Sequence, residues 1–181
     1  MMKKVVLVTG ASSGIGLSIA NCLHYQKKYI VYGTSRKTNN RSDFSFNLID
    51  LDVTNKSSIQ RCISEILKKE SKIDILINNA GVGITGPLEE IPTSEIDKHF
   101  QTNVIGPILL VKGVLPSMRS SKNGVIINIT SVAGQIATPF RSIYSGGKAA
   151  LEIISETLAM EVRSFGIDVI SIAPGDFKTN I

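Results

Sequence analysis

Along this chain, short runs of consecutive apolar residues alternate with stretches in which apolar positions recur every three or four residues. The first pattern fits strands buried on both faces, and the second fits helices that cover them. Val5-Val6-Leu7-Val8 opens the series and predicts a strand at about 3–9, with a helix following at about 14–27. Tyr29 to Thr34 reads as a second strand, the polar 37–45 as a loop, and Phe46 to Leu51 as a third strand with Asp52 at its end. Asn55 is placed to cap a helix running to about Glu70. Ile73 to Ile77 reads as a fourth strand, and Thr93 opens a helical region to about Met118 that Gly106-Pro107 should bend. Val125 to Ile129 is a fifth strand, 142–164 a helix, and Ile167 to Ala173 a sixth strand that Pro174-Gly175 ends. This alternation implies an α/β fold built of βαβ units on a parallel sheet. Right-handed crossovers make it doubly wound, with helices on both faces. No internal repeat or low-complexity linker divides the chain, so 1–181 reads as one domain. Ligands of such sheets sit beyond the carboxyl ends of the strands, where Asp52, Asn79, Ser131 and Gly175 fall.

The turn after the first strand is Thr9-Gly10-Ala11-Ser12-Ser13-Gly14-Ile15-Gly16. Gly10 permits a sharp exit from the strand. Gly14 lets the backbone approach a ligand, and Gly16 lets the helix pack close to the sheet. Free N–H groups at the helix start then favour a phosphate. The spacing is Gly-x3-Gly-x-Gly rather than the usual Gly-x-Gly-x-x-Gly, so an ordinary strand-to-helix turn stays open as a reading.

An NAD site carries an acidic residue after the second strand, where it bonds the ribose 2′-hydroxyl. Here that place holds Thr34-Ser35-Arg36. No carboxylate repels a 2′-phosphate, and the Arg36 guanidinium can grip one. This favours NADP(H) over NAD(H); a plain surface arginine is the other reading. Asp52 has two roles open to it, accepting from the adenine amine or capping the helix near Asn55.

Tyr144 and Lys148 are four apart at a helix start and share one face, and Ser131 lies thirteen residues before Tyr144. A free tyrosine titrates near ~10 and is a poor acid–base group at neutral pH. A lysine beside it favours the phenolate. Ser131 can donate to a carbonyl oxygen and hold it against the phenol. Each also has a bland explanation, an amphipathic helix pair and a turn serine.

Composition narrows the classes. Apolar residues are 43% and charged residues 19%, which fits a globular chain. The net charge of +5 is spread, with no basic run longer than two, so nucleic acid is not an expected partner. Cys22 and Cys62 form no C-x-x-C pair and read as free thiols in a reducing, cytoplasmic setting. No apolar run has membrane-spanning length. His24 and His99 lack a ligand cluster and read as surface or packing histidines, so no metal is expected.

Taken in order, Thr9-Gly10-x3-Gly14-x-Gly16, Asn78-Asn79-Ala80-Gly81, Asn103, Ser131, Tyr144-x3-Lys148 and Pro174-Gly175 resemble the motifs of the short-chain dehydrogenase/reductase family. The match runs from Val5 to the chain end. It implies a Rossmann-like sheet of strand order 3-2-1-4-5-6. It also implies hydride transfer between NADP(H) and a carbonyl or alcohol, with Tyr144 as acid/base, Lys148 as its partner and Ser131 as the carbonyl-orienting group. Asn103 is then the fourth member, holding a water through a helix kink. Gly10, Ser12, Ser13, Gly14, Ile15, Gly16, Arg36, Asp52, Val53, Asn79, Ala80, Gly81, Tyr144, Lys148, Pro174, Gly175 and Thr179 are implied to bind the cofactor. Ile136, Ala137, Phe140, Gly83 and Ile84 are expected to line a mostly apolar pocket for a lipophilic substrate. The run from Tyr144 to Arg163 is similar to steroid and retinol members of the family. The helices at about 103–118 and 142–164 pair in many relatives, so a homodimer or homotetramer is expected. The family also has a substrate lid and a seventh strand beyond the Pro-Gly loop; neither lies within the 181 residues, so the sequence reads as part of a longer protein. A non-enzymatic NADP-binding regulator on the same fold is the alternative, although such regulators lose the tyrosine or lysine kept here.

Overall fold

Strand β1 (Lys4–Val8) sits near the middle of a six-stranded sheet in the computed structural model, which describes residues 3–36 and 44–175. Its neighbours are β2 (Tyr29–Ser35) and β4 (Ile75–Asn78). Outward from these lie β3 (Asn47–Asp50) beside β2, and β5 (Gly124–Ile129) then β6 (Ile167–Ile172) beside β4. All pairings are parallel and the order is β3-β2-β1-β4-β5-β6, as the motif series implies.

The two faces of β1 feed two cores. Val5 and Leu7 join the side chains of α2 (Lys56–Glu70) and α4 (Gly106–Ser121), with Val162 from the end of α5 (Ser142–Val162). Val6 and Val8 join α1 (Gly14–Tyr25) through Ala20, together with Phe46 and Ile77. This is why the opening run is apolar at every position rather than at alternate ones. Burying such a side chain contributes about 1.5–3 kcal/mol.

Local signals act where expected at α2, whose N-cap Asn55 accepts from the Ser58 amide at 2.9 Å. The long helical region is interrupted at Asn103, where the resemblance implies a kink, rather than at Gly106-Pro107. It is α3 (Thr93–Phe100), then a π-helical turn over Gln101–Ile105, then α4. The distortion precedes Gly106-Pro107. Val53 packs against Gly106 so closely that a Cβ there would lie 2.7 Å from its carbonyl oxygen. Cys62 is buried, which pushes its thiol up to about 12, and both cysteines are free. Among the described residues no helix is long and apolar enough to cross a membrane. On β6, Ile170 and Ile172 stay 45% exposed, on the side of the sheet opposite α5.

Candidate active site

At the carboxyl ends of β1 and β4, two turns are spliced together by Thr9 and Asn79. The Thr9 hydroxyl accepts from the Asn79 amide at 2.9 Å and the Ala80 amide at 3.0 Å. The Asn79 carboxamide donates back to the Thr9 and Gly10 carbonyls. Gly10 has φ +65°, and a Cβ on it would lie 2.9 Å from Ala80 Cα. Gly16 packs beneath this turn, where a Cβ would overlap the Gly10 carbonyl oxygen and the Asn79 amide nitrogen. Its small size lets the start of α1 pack close against the turns that leave β1 and β4.

Helix α1 starts at this joint. Its N-cap, Ser13, is extended and makes no side-chain cap bond. The helix N-terminus thus faces the cleft with its first amides uncapped by a side chain, a setting that suits an anion.

The cleft itself has two continuous parts that share Ser13, Ile15, Arg36, Asn79, Gly81 and Val82. One part, of 660 Å³, is lined by Gly10, Ser12, Gly14, Asp52, Val53 and Ala80 among others. The other, of 720 Å³, is lined by Ser131, Tyr144, Lys148, Pro174 and Gly175. Gly16 and Asn103 are buried just behind the cleft walls. Thr179 lies outside the described residues. Thr102, Val82, Thr130 and Arg141 also line the cleft and are not singled out by the sequence. They flank quoted motifs, and chain adjacency was the signal that could have found them.

Asp52 faces the first part, but it is not the cap of α2. Its Oδ1 accepts from the Thr54 amide and hydroxyl at 2.9 and 2.7 Å, and its amide donates to Ser58 Oγ at 3.0 Å. Asn55 performs the capping.

In the second part, the Lys148 side chain is 6% exposed and donates to the Ile129 carbonyl at 2.8 Å. Its Nζ lies 5.9 Å from the Tyr144 ring centroid. Burial holds the ammonium down to about 8. An ammonium has three N–H donors, so this one keeps capacity for ligand oxygens. Ser131 is buried and caps the short helical turn Val132–Gly134, accepting from the Ala133 amide at 3.2 Å. Asn103, in the π-helical turn, clamps Val82, accepting from its amide at 2.9 Å and donating to its carbonyl at 2.8 Å.

The expected apolar lining is only partly present. Gly83 and Ile84 line the cleft, but Ile136, Ala137 and Phe140 do not; all three are exposed, Ile136 and Phe140 at 68% and 62%. The Phe140 backbone turns at φ +63° and its carbonyl accepts from the Gly86 amide, which directs the side chain outward. Thr85, Thr130 and Arg141 stand in the wall as well, so it is more polar than expected.

The residues present suit a dinucleotide: a long cleft, an uncapped helix N-terminus at its middle, and a buried ammonium at one end. The sequence model of a family described as short chain dehydrogenase matches residues 4–181. The chain is similar to a 3-ketodihydrosphingosine reductase of Bacteroides thetaiotaomicron, 42% identical over 179 residues that cover 99% of this chain and 66% of the relative. It is also similar to retinol dehydrogenase 8 of Homo sapiens, 35% identical over 188 residues that cover 97% of this chain and 60% of the relative. A solved short-chain dehydrogenase from Streptomyces avermitilis superposes with a TM-score of 0.94 at 40% identity, covering 100% of this chain and 68% of that one. ElxO with NADP bound superposes with a TM-score of 0.93 at 33% identity, covering 99% and 76%. The chain thus spans from 60% to 76% of the length of these relatives.

Proposed function

The chain belongs to the short-chain dehydrogenase family, and on that premise we propose that it is an NADP(H)-dependent oxidoreductase interconverting a carbonyl compound and an alcohol. The observation that carries this reading is the meeting of Lys148, Tyr144 and Ser131 in one cleft with the glycine turn. Bound nicotinamide supplies or accepts the hydride. The chain's own residues handle position, charge and the proton. Ser131 donates to the substrate oxygen and holds it beside the Tyr144 phenol, which gives that oxygen its proton in reduction and takes it back in oxidation. The Lys148 ammonium supplies positive charge beside the Tyr144 ring, 5.9 Å from its centroid. Asn103 belongs to the same machinery through its hold on Val82, which lines the cleft.

The preference for NADP(H) over NAD(H) rests on Arg36, which lines both parts of the cleft where no carboxylate follows β2. A similar structure, ElxO, is described with NADP bound. Asp52 and Val53 are assigned to the adenosine end, and Pro174 and Gly175 to the nicotinamide end. A lipophilic ketone or alcohol is the proposed substrate, on the strength of Val82 and Ile84 in the wall and of relatives named for ketodihydrosphingosine and retinol. A soluble, cytoplasmic homodimer or homotetramer is proposed from the family resemblance. The test mixes the protein with NADPH and a panel of ketones, including acetophenone, and follows loss of nicotinamide absorbance. Consumption of NADPH that depends on both ketone and protein supports the reading; tight NADPH binding with no consumption across the panel counts against it.

A further inference from the structure

His99 has no task in the reading above, yet it is fully buried and touches residues that reading uses. Its Nδ1 and Nε2 lie 3.0 and 3.3 Å from Asn103 Nδ2. The Asn103 Oδ1 accepts from the Val82 amide, which fixes the other end of the carboxamide as the NH2 group. An NH2 group only donates, so the His99 nitrogen that bonds it, Nδ1 by the shorter distance, accepts through a lone pair. The Tyr144 ring meets the imidazole edge-on, with centroids 5.8 Å apart.

The opposite contact explains an oddity of α5. Gly147 lies inside that helix, where glycine costs about 1 kcal/mol relative to alanine. A Cβ there would overlap His99 Nε2. The glycine makes room for the imidazole in the first turns of α5, between Tyr144 and Lys148. Burial first, and the Lys148 ammonium second, lower the imidazole's affinity for a proton, while a bond with the Val82 backbone pulls the other way. The neutral ring that results is the form able to accept.

We infer that His99 is a positioning residue: by accepting from Asn103 it locks that carboxamide onto Val82, and with the same ring it seats Tyr144 at the cleft wall. This rests on the reading of Tyr144 as the acid/base. Two variants separate the contributions. His99→Phe keeps a flat ring and removes the acceptor, whereas His99→Asn places an oxygen acceptor where Nδ1 stands.

In the protein without cofactor, NMR reads exchange of the Asn103 carboxamide protons. Protection is expected in the wild type and His99→Asn, and its loss in His99→Phe. With NADPH and acetophenone, His99→Phe should lose about 10- to 100-fold in kcat, the scale of a misplaced reacting group. KM for acetophenone and the NADPH dissociation constant should stay within about twofold, and His99→Asn should recover most of kcat. Carboxamide protection that survives in His99→Phe, or equal loss of kcat in both variants, overturns the inference. Tyr144→Phe is run alongside: full turnover there sinks the acid/base reading instead, while the carboxamide measurement still decides the role of His99.

Discussion

Lys148 and Tyr144 stand one helical turn apart, with the ammonium 5.9 Å from the phenol ring centroid and held there by the Ile129 carbonyl. The lysine is anchored at the end of β5 as well as on its own helix, which places its charge beside the tyrosine. Holding it there has a cost in the absence of a ligand, because burial lowers its proton affinity.

That cost has a pH signature. The Lys148 amine titrates near about 8 in the fold and near ~10.4 in an unfolded chain. The unfolded state therefore binds more protons between these values, and stability rises with pH across that window. Below about 8 the full penalty of about 3 kcal/mol applies. In urea unfolding of the cofactor-free protein, the wild type should gain about 3 kcal/mol on Lys148→Met as pH rises through this window. Parallel stability curves for the two proteins would remove the argument.

Arg36 is exposed at the mouth of the cleft, where a bidentate contact with a phosphate is open to it. Hydrogen bonds to a charged partner contribute about 1.5–3 kcal/mol. Arg36→Ser should weaken NADPH binding by about 10- to 100-fold while NADH binding changes by less than about threefold. Fluorescence titration with both nucleotides checks this, and equal losses would remove the cofactor preference.

Thr9 accepts two backbone amides from the β4 turn through a single hydroxyl. Thr9→Val keeps the shape and leaves those donors without a partner, at about 1–3 kcal/mol each. It should lower stability by at least ~2 kcal/mol and weaken NADPH binding, whereas Thr9→Ser should retain most of both. A Thr9→Val protein as stable as Thr9→Ser would show that the splice between the turns does not matter.

Gly16 has no space for a methyl group between the Gly10 carbonyl and the Asn79 carboxamide. Gly16→Ala forces these groups apart and should cost about 1–3 kcal/mol, despite the better helix propensity of alanine. A thermal melt reads the sign directly, and a stabilised variant would contradict the packing described.

The sheet was legible because its signals are local. Val5 to Val8 are apolar on both faces, Asn55 is a short polar cap before a periodic run, and glycine clusters sit where the chain must reverse. The cleft was legible because the turns at strand ends are brought together by the topology alone. What escaped depends on contacts between distant segments. The resemblance implies a kink at Asn103, but the π-helical form of the turn at Gln101–Ile105 is set where Asn103 clamps Val82 and Gly106 meets Val53, neither of which periodicity contains. His99 reads from the sequence as a surface or packing histidine; it is buried, and its spacing of four from Asn103 does not say that it packs against Tyr144. Phe140 follows Ser131 in an apolar stretch, which suggests a place in the pocket, but its backbone turns left-handed and its side chain is exposed.

The most direct measurement compares Tyr144→Phe with the wild type in the same two experiments, NADPH titration and ketone-dependent NADPH consumption. Removing one hydroxyl from the cleft wall should leave the NADPH dissociation constant within about twofold and lower turnover by about 10²–10⁴, the contribution of a positioned acid–base group. A Tyr144→Phe protein that binds NADPH and still reduces ketones at the wild-type rate would contradict the account.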